Sequence, residues 1–212
     1  MNASIGFDPT LFGSFLVAAS VICVTPGPDM MYVVSFGVAK GKIGGLAAAT
    51  GIAMGMLFHT LLAVLGVAAV IARYPMVLEV FRYVGAAYLV YLGISLWRDD
   101  SKLVIEDGRV GWSAVRISMQ AALVNIANPK IVVFYIAFLP QFTSSSAGSV
   151  PLQMLTLGLV FVIMGFATDA TVGLFGGSVG SRLTRNTLAL RRINRSCAVV
   201  LVLLAAVLLL GH

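Results

Sequence analysis

Long apolar runs separated by short polar connections make up most of this chain. Six runs follow one another, and each is near or above the ~20 residues that a helix needs to cross the hydrocarbon core of a bilayer. Apolar residues are continuous within the runs and do not alternate with polar ones, which favours helices over barrel strands. The pattern predicts an all-α integral membrane protein with six transmembrane helices, at residues 11–39, 43–72, 76–97, 113–139, 151–180 and 193–210.

Proline interrupts the first and the fourth predicted helix. Pro26, Gly27 and Pro28 stand within the first run, and Asn128 precedes Pro129 within the fourth. Proline has no backbone N–H and glycine has no side chain to shield an opened turn, so such a break is tolerated only against protein or a watery cavity. A helix that restarts at either break presents its partly positive amino end to the membrane interior. Two such ends facing one cavity would bind a carboxylate; the structural alternative is a pair of kinks that shape the bundle.

The two halves of the chain repeat each other faintly. Each half holds three predicted spans, an odd number, so the second copy must be inverted relative to the first. Inverted repeats with broken helices are an architecture of secondary transporters. We therefore expect a single transmembrane domain over residues 1–212, with a first three-helix repeat at 1–100 and a second, inverted one at 111–212. The matched positions are Pro28 with Pro129, Asp29 with Lys130, Met54 with Met164, Gly55 with Gly165, His59 with Asp169 and Gly66 with Gly176.

Two ionisable residues of opposite sign occupy equivalent places directly after the breaks. Burying Asp29 or Lys130 in a membrane costs at least ~2.5 kcal/mol each, so such residues usually face a cavity or each other. One hypothesis is that they bind the two ends of a zwitterion, with Lys130 on a carboxylate and Asp29 on an ammonium group. The alternative is a buried ion pair, with which a substrate would compete. Asn125, about one turn before Asn128, is a further polar candidate for the same cavity.

Asp169 and His59 are the candidates for proton coupling, together with Asp29. Small residues allow helices to approach closely, so we expect both side chains to face protein and not lipid. Asp169 lies mid-span without a charged sequence neighbour, which suits a proton carrier; the alternative is a protonated carboxyl bonded to a neighbouring helix. A lone histidine on a packing face, as for His59, is more often structural. The glycines on these faces are Gly165, Gly173 and Gly176 beside Asp169, and Gly55 and Gly66 beside His59.

Composition and charge agree with a membrane protein. Of 212 residues, 59% are hydrophobic and only 10% charged, against about 25% charged in an ordinary soluble domain, and the mean hydropathy is +1.01. The net charge of +6 does not indicate a nucleic-acid partner, because the basic residues lie between apolar runs and not in a patch with aromatic residues. Residues 1–10 contain no Lys or Arg, so we expect the first run to be a retained span and not a cleaved signal.

The positions of the basic residues predict the orientation in the membrane. They are concentrated in the first, third and fifth connections, which the positive-inside rule assigns to the cytoplasm. Both termini are then expected outside the cytoplasm. The cluster at residues 182–195 is expected to be a solvated loop anchored to anionic lipid headgroups. The residues concerned are Lys40 and Lys42, then Arg98, Lys102, Arg109 and Arg116, then Arg182, Arg185, Arg191, Arg192 and Arg195, against Arg73 and Arg82 on the opposite side.

Other classes of function have less support in the sequence. Cys23 and Cys197 are far apart and show no disulfide or metal-site spacing. A membrane thiol-redox carrier would need a second cysteine in the fourth run, which has none, and a metal exporter would need clustered His, Cys and carboxylates. No phosphate-binding Gly-rich motif occurs, so no cofactor is expected. No nucleophile–base set indicates an enzyme.

Three sequence blocks carry a family resemblance. They are VTPGPD at residues 24–29 with Lys40-Gly41 behind it, YVGAAYLVYLG at 83–93, and Asn128-Pro129-Lys130 followed by FLPQF at 138–142. In this order, and over essentially the whole chain, they resemble the LysE/RhtB family of amino-acid exporters. The sixth run departs from the family pattern, since Ser196 and Cys197 stand where a glycine is usual.

The resemblance implies a secondary transporter that exports small amino acids or derivatives, of the homoserine, threonine or leucine kind, by proton antiport. The family's motif positions fall on residues 26–29 and 128–130. The apolar neighbours Met30, Tyr32 and Phe134 favour a neutral substrate over a basic one. Export of another small solute, such as a lactone or a divalent metal, stays open as an alternative. A homo-oligomer is also possible, because glycine faces pack within chains or between them.

Overall fold

A computed structural model describes residues 8–74, 76–98, 111–175 and 187–210 of the chain. All regular secondary structure in these ranges is helical, which confirms the predicted all-α class. Two π-helical segments, Ala63–Val67 and Phe134–Phe138, and a 3-10 turn at Leu139–Phe142 extend neighbouring helices. The α-helices are α1 (Pro9–Val24), α2 (Pro28–Leu62), α3 (Ala68–Arg73), α4 (Val77–Arg98), α5 (Ala114–Ile126), α6 (Pro129–Val133), α7 (Val150–Leu174) and α8 (Thr187–Leu210).

Three helical stretches in the described ranges are long and apolar enough to cross a membrane, namely Pro28–Gly66, Glu79–Arg98 and Val150–Leu174. Helix α5 and the stretch Pro129–Phe142 meet at an angle of 54° and together would make a fourth span. Helix α1 and the segment Asn194–Ala206 of α8 are apolar but shorter. The described residues therefore give a multi-pass membrane protein with three or four candidate spans, fewer than the six predicted.

Helix α2 folds back on itself at Gly41. The backbone there has φ 63° and ψ −155°, a conformation that residues with a Cβ rarely adopt. A Cβ on Gly44 would lie 2.5 Å from the carbonyl oxygen of Phe36, although eight residues of straight helix would separate the two by about 12 Å. The element is therefore a helical hairpin, and we call residues 28–40 its first arm and residues 42–62 its second arm.

The second arm of α2 packs directly on α7 through glycines. Gly45 faces the backbone of Gly173 so closely that a Cβ on either residue would clash with the other. Near the opposite end of the arm, a Cβ on Gly158 would clash with the side chain of Thr60. Low residue numbers on one helix face high numbers on the other, so these two helices are antiparallel. Close backbone approach through glycine is typical of membrane helix pairs.

The second arm also packs on α5, in a parallel direction. A Cβ on Gly51 would clash with the carbonyl oxygen of Ser118, whose hydroxyl donates a 2.7 Å hydrogen bond to the Ala47 carbonyl. One turn further along α2 and two turns further along α5, a Cβ on Gly55 would lie 2.6 Å from Oδ1 of Asn125. Gly55 thus lies on a packing face as predicted, and so do Gly165 and Gly173 on α7.

The prediction that Gly66 lies on the packing face beside His59 is wrong. This glycine is exposed and no atom lies within 4 Å of the position of its Cβ. The π-helical segment Ala63–Val67 follows α2 and changes the angular register after Leu62, so the face that carries Gly55 and His59 does not continue to residue 66. Its counterpart in the repeat, Gly176, lies outside the described residues.

The two interrupted stretches, residues 9–40 and 112–142, lie side by side in opposite directions. At one end, the Phe15 ring contacts that of Phe142 at a centroid distance of 5.6 Å. At the other end, Phe36 stacks on Trp112 at 6.0 Å. Between these contacts, the break before α2 lies level with the break before α6, so the residues around both breaks meet.

Helices α4 and α8 form a second antiparallel pair. A Cβ on Gly93 would lie 3.0 Å from Cγ2 of Val202, and the Arg195 guanidinium lies 5.3 Å from the centre of the Trp97 ring. The pair joins the rest of the bundle partly through Gly85, where a Cβ would lie 3.0 Å from the side chain of Ala137.

Candidate substrate site at the two helix breaks

The first break is an extended connection between α1 and α2. Helix α1 ends at Val24, and the Thr25 hydroxyl donates a 2.6 Å hydrogen bond back to the Val21 carbonyl. Gly27 is extended, and α2 begins at Pro28. The N–H of the first helical residue has no acceptor within the helix, so a proline there costs no hydrogen bond. Because Gly27 has no side chain, no side chain caps the first-turn N–H groups of α2.

The second break has a cap. Oδ1 of Asn128 accepts a 3.0 Å hydrogen bond from the backbone N–H of Lys130, at the start of α6. The amide group of the same side chain donates a 2.7 Å hydrogen bond to Oδ2 of Asp29, at the start of α2. The two helix starts therefore differ. The Asn128 side chain accepts a hydrogen bond from a first-turn N–H of α6, whereas the start of α2 keeps its partial positive charge without a side-chain cap.

Asp29 lies almost fully buried, with 4% of its surface exposed. Its Oδ2 accepts hydrogen bonds from Nδ2 of Asn128 and, at 3.1 Å, from Nδ2 of Asn125. Its Oδ1 is also buried and has no hydrogen-bond partner among the described residues. An acceptor left in this state is costly, so the second oxygen of Asp29 has capacity for a donor.

Lys130 reaches from the second break to the first. Its ammonium donates hydrogen bonds to the carbonyl oxygens of Thr25 at 3.1 Å and Ile22 at 3.3 Å. These carbonyls lie in the last turn of α1 and at the residue that follows it, where the helix dipole favours a cation. Nζ also lies 3.3 Å from the position that a Cβ on Gly27 would take, so the glycine leaves room for the lysine. Lys130 and Asp29, both described, have separate hydrogen-bond partners and do not form the direct ion pair that the sequence left open.

Asp169 brings a third charged side chain to the same place from α7. It is buried, with 5% of its surface exposed, and it makes no hydrogen bond to another described residue. The expectation that it faces protein and not lipid is therefore confirmed. The alternative of a carboxyl bonded to a neighbouring helix does not describe this arrangement.

A small cavity joins these groups. Its volume is about 10 Å³, which is room for roughly one water molecule. In this conformation it is too small for an amino acid, so a substrate enters only if the surrounding helices move. Both charged and apolar groups line it. The lining residues are Cys23, Thr25, Asp29, Lys130 and Asp169, with Ile22, Met30, Met56, Ile131, Phe161 and Gly165.

Aromatic clusters lie on either side of the two breaks along the bundle. Toward the start of α5, Phe36 packs between Tyr32 and Trp112, and Lys40 donates a hydrogen bond to the Trp112 carbonyl. On the other side, Phe134 stacks at a centroid distance of 4.1 Å on Phe161, which lines the cavity.

His59 lies in a neighbouring polar cluster and does not line the cavity. Its ring stacks on that of Tyr135 at a centroid distance of 5.5 Å, and the Tyr135 hydroxyl shares a 3.0 Å hydrogen bond with that of Thr60. Nε2 of His59 is buried and has no partner among the described residues. Asn125, which bonds to Asp29, separates this cluster from the cavity.

The model of the LysE type translocator family matches residues 20–212. The chain belongs to this family. It is 33% identical over 149 residues to an uncharacterized membrane protein of Vibrio cholerae, covering 70% of this chain and 72% of that protein. It is 31% identical over 159 residues to a leucine efflux protein of Salmonella typhimurium (73% and 74% covered). It is 30% identical over 186 residues to a leucine efflux protein of Klebsiella pneumoniae (86% of each). No solved structure matches the chain significantly.

Membership confirms the resemblance drawn from the three sequence blocks, and a translocator is a transporter and not an enzyme. Of the predicted site residues in this LysE type translocator, Gly27, Asp29, Asn125, Asn128 and Lys130 meet at the breaks. The prolines take a different place. Pro28 and Pro129 are exposed at the first positions of α2 and α6, and Pro26 is half-buried between α1 and α2.

Sequence reasoning did not identify Tyr135 or Thr60 of the translocator as part of the polar cluster. Thr60 directly follows His59 in the sequence, which was an available signal. Tyr135 gave none, because it lies in the π-helical segment Phe134–Phe138, and a helical period of 3.6 residues does not give the side-chain register of such a segment.

Proposed function

We propose that this LysE type translocator exports small neutral amino acids, of the leucine, homoserine or threonine kind, from the cytoplasm in exchange for protons. The observation that carries the proposal is one buried cavity that holds both the Lys130 ammonium and an Asp29 carboxylate with an unsatisfied oxygen. An α-amino acid carries the complementary pair of charges on adjacent atoms. The leucine efflux proteins among the relatives support a substrate of this size.

The substrate carboxylate binds Lys130 near the start of α2. Within the described part of the chain, the ammonium of Lys130 donates to the neutral carbonyls of Ile22 and Thr25. A carboxylate is a stronger acceptor than a carbonyl, and the uncapped N–H groups of α2 add further donors for an anion. The substrate ammonium then donates to Oδ1 of Asp29, whose Oδ2 is already held by Asn125 and Asn128.

The apolar wall of the cavity supports a neutral side chain. Met30, Met56, Ile131 and Phe161 line it together with the charged groups. Each CH₂ group buried there is worth about 0.8 kcal/mol, and methionine side chains adapt to ligands of differing shape. A basic substrate would bring a second ammonium, and the lining carboxyl left to pair with it, Asp169, is the one that the proposal assigns to the proton.

The two carboxyl groups of the cavity support proton exchange. Asp29 and Asp169 share it with one ammonium, that of Lys130, so one proton on the carboxyl pair neutralises the three groups. A zwitterionic substrate adds no net charge: its carboxylate pairs with Lys130, and its ammonium takes the place of the proton at the carboxyl pair. Proton and substrate ammonium therefore compete for the pair, with Asp169 as the carrier and His59 as a neighbouring group. One charge crossing 100 mV yields ~2.3 kcal/mol, which corresponds to a gradient of about fiftyfold.

The same proposal includes six spans in two inverted repeats, residues 1–100 and 111–212. The fold-back at Gly41 supports counting α1 with the first arm of α2 as one broken span and the second arm as the next. The antiparallel stretches 9–40 and 112–142, with level breaks, support a related and inverted pair. Lys40 and Arg116 then mark the cytoplasmic side, with both termini outside the cytoplasm of a bacterial inner membrane.

The test is a mass-spectrometric profile of amino acids in the medium of cells that overexpress the protein. We expect leucine-like amino acids to accumulate with wild type and not with Asp29→Asn. Asp8→Asn is the matched control, because Asp8 is exposed, caps α1 and loses the same charge. An unchanged profile, with the protein shown to be in the membrane, would refute amino-acid export and point to another solute, such as a lactone or a metal.

A further inference from the structure

The α4–α8 pair forms a groove on the outside of the bundle, away from the cavity between the breaks. Its volume is about 330 Å³. Gly93 and Ala198 form the floor, where the two helices touch. Exposed apolar side chains form the walls, and these are Ile94, Trp97, Val199, Val202 and Leu203. A groove with this lining, on the surface of a multi-pass membrane protein, faces the hydrocarbon of the bilayer.

One end of the groove is basic. The guanidinium of Arg195 lies over the Trp97 ring at 5.3 Å, near the end of α4 and about two turns into α8. Arg191 and Arg192 are exposed one turn earlier on α8, and the helix contains no acidic residue. Asp99 and Asp100 follow Arg98 directly in the sequence, so the charge of Arg98 has acidic neighbours. Arg192 and Arg195 therefore place positive charge at this end.

The distance from Arg195 to the far end of the groove is close to the hydrocarbon thickness of one leaflet. From Arg195 to Leu203 the helix rises by eight residues, about 12 Å at 1.5 Å per residue. Half of a ~30 Å hydrocarbon core is about 15 Å. Tryptophan and arginine are the residues that typically lie at the boundary between headgroups and hydrocarbon. A molecule in the groove therefore has an anionic group at Arg195 and an apolar chain that reaches toward the bilayer centre.

We propose that the α4–α8 groove binds an anionic phospholipid, with one acyl chain along Val199–Leu203 and the phosphate group on Arg195. The charge at the groove end favours this occupant over a zwitterionic lipid, whose choline or ethanolamine group would meet the same arginines. A second copy of the chain is the other conceivable occupant, but it would bring its own Arg191, Arg192 and Arg195 to a symmetric contact there. Binding at this site is independent of the substrate site and of the proposed transport activity.

Native mass spectrometry of the purified full chain tests the proposal, with phosphatidylglycerol and phosphatidylcholine added in equal amounts. We expect wild type to retain more phosphatidylglycerol. One arginine near an anionic headgroup is worth ~1 kcal/mol, so Arg195→Gln should lower the ratio of the two bound lipids about fivefold. Val199→Trp fills the groove between the helices and should lower retention of both lipids.

Arg82→Gln is the matched control. Arg82 also lies over an aromatic ring on α4, that of Tyr83 at 5.2 Å, but near the opposite end of the helix. We expect this variant to keep the wild-type lipid ratio. Equal retention of the two lipids by wild type would overturn the proposal, as would an equal loss in Arg82→Gln and Arg195→Gln. A dimer that Val199→Trp dissociates, without lipid preference, would instead identify a second copy as the occupant.

Discussion

Asn128 holds Asp29 across the two helix breaks through a 2.7 Å hydrogen bond. The same side chain caps α6 through the backbone N–H of Lys130. One residue therefore connects the start of α2 with the start of α6 and keeps one carboxylate oxygen occupied while the other stays available. The relationship makes Asn128 as important to the proposed site as the two charged residues on either side of it.

Asn128→Ser removes one of these two hydrogen bonds and keeps the other. Serine is a good N-cap and keeps the bond to the Lys130 N–H, but it has no N–H to donate to Asp29. Loss of one donor to a buried carboxylate costs ~1–3 kcal/mol, so we expect export of leucine to fall about tenfold at unchanged protein level in the membrane. The rate of leucine efflux from preloaded cells measures this. A wild-type rate would show that the bond between Asn128 and Asp29 does not serve transport.

The sequence was sufficient to predict the breaks, because their cause is local. A proline removes a backbone N–H wherever it stands, and Asn128 is a strong cap in any context. The charges at Lys40 and Lys42 also predicted a connection between two helices. The structure turns the chain at Gly41, between these lysines, where the glycine adopts a positive φ.

The partners of the charged residues were not predictable. Lys130 bonds to carbonyls that lie more than 100 residues away in the chain, and whether it meets these or Asp29 depends on the tertiary packing of α1 against α6. The side-chain register in and after a π-helical segment could not be predicted from the sequence either. Gly66 was misplaced and Tyr135 was missed for this reason, because both lie in such segments.

Lys130→Arg is expected to impair export nearly as much as Lys130→Ala. Nζ lies 3.3 Å from the position of a Cβ on Gly27, so the space suits a compact ammonium and not a planar guanidinium. Lys42 is exposed, and Lys42→Arg and Lys42→Ala serve as controls that should export normally. Leucine efflux at matched expression measures the difference. Full activity of Lys130→Arg would mean that the lysine contributes only its charge.

Asp169→Asn tests the role of the third charged group. If Asp169 carries the proton, the asparagine variant should still exchange external for internal leucine in proteoliposomes, and leucine flux should no longer respond to a pH gradient. Wild type should export faster when the side opposite leucine is acidic, because protons there displace the substrate. Asp8→Asn, which removes an exposed acid, should behave as wild type. A pH-driven flux that survives in Asp169→Asn would assign the proton elsewhere.

Gly51→Ala is expected to destabilise the bundle. A Cβ there would clash with the backbone oxygen of Ser118, and overpacking of this kind costs ~1–3 kcal/mol. Gly13→Ala is the control, because nothing lies within 4 Å of its Cβ position, and alanine in an open helix position adds up to about 1 kcal/mol of stability. Thermal unfolding in detergent should give a lower Tm for the first variant and an equal or higher Tm for the second. The reverse order would contradict the close packing of α2 on α5.

The reaction rate of the Cys23 thiol is expected to show whether a substrate occupies the cavity. The chain has two cysteines, so Cys197→Ser leaves Cys23 as the sole thiol, on the cavity wall beside Lys130 and Asp169. We expect a small thiol reagent such as N-ethylmaleimide to react with it slowly, because the cavity is nearly closed, and leucine to slow the reaction further by occupying the same space. Asp29→Asn in this background should abolish the protection.

Val17 is exposed on the same helix, and a thiol placed there by Val17→Cys in a Cys23→Ser, Cys197→Ser chain should react at a rate that leucine does not change. If leucine fails to protect Cys23 while Asp29-dependent export persists, the substrate binds elsewhere and the two breaks serve only to shape the bundle.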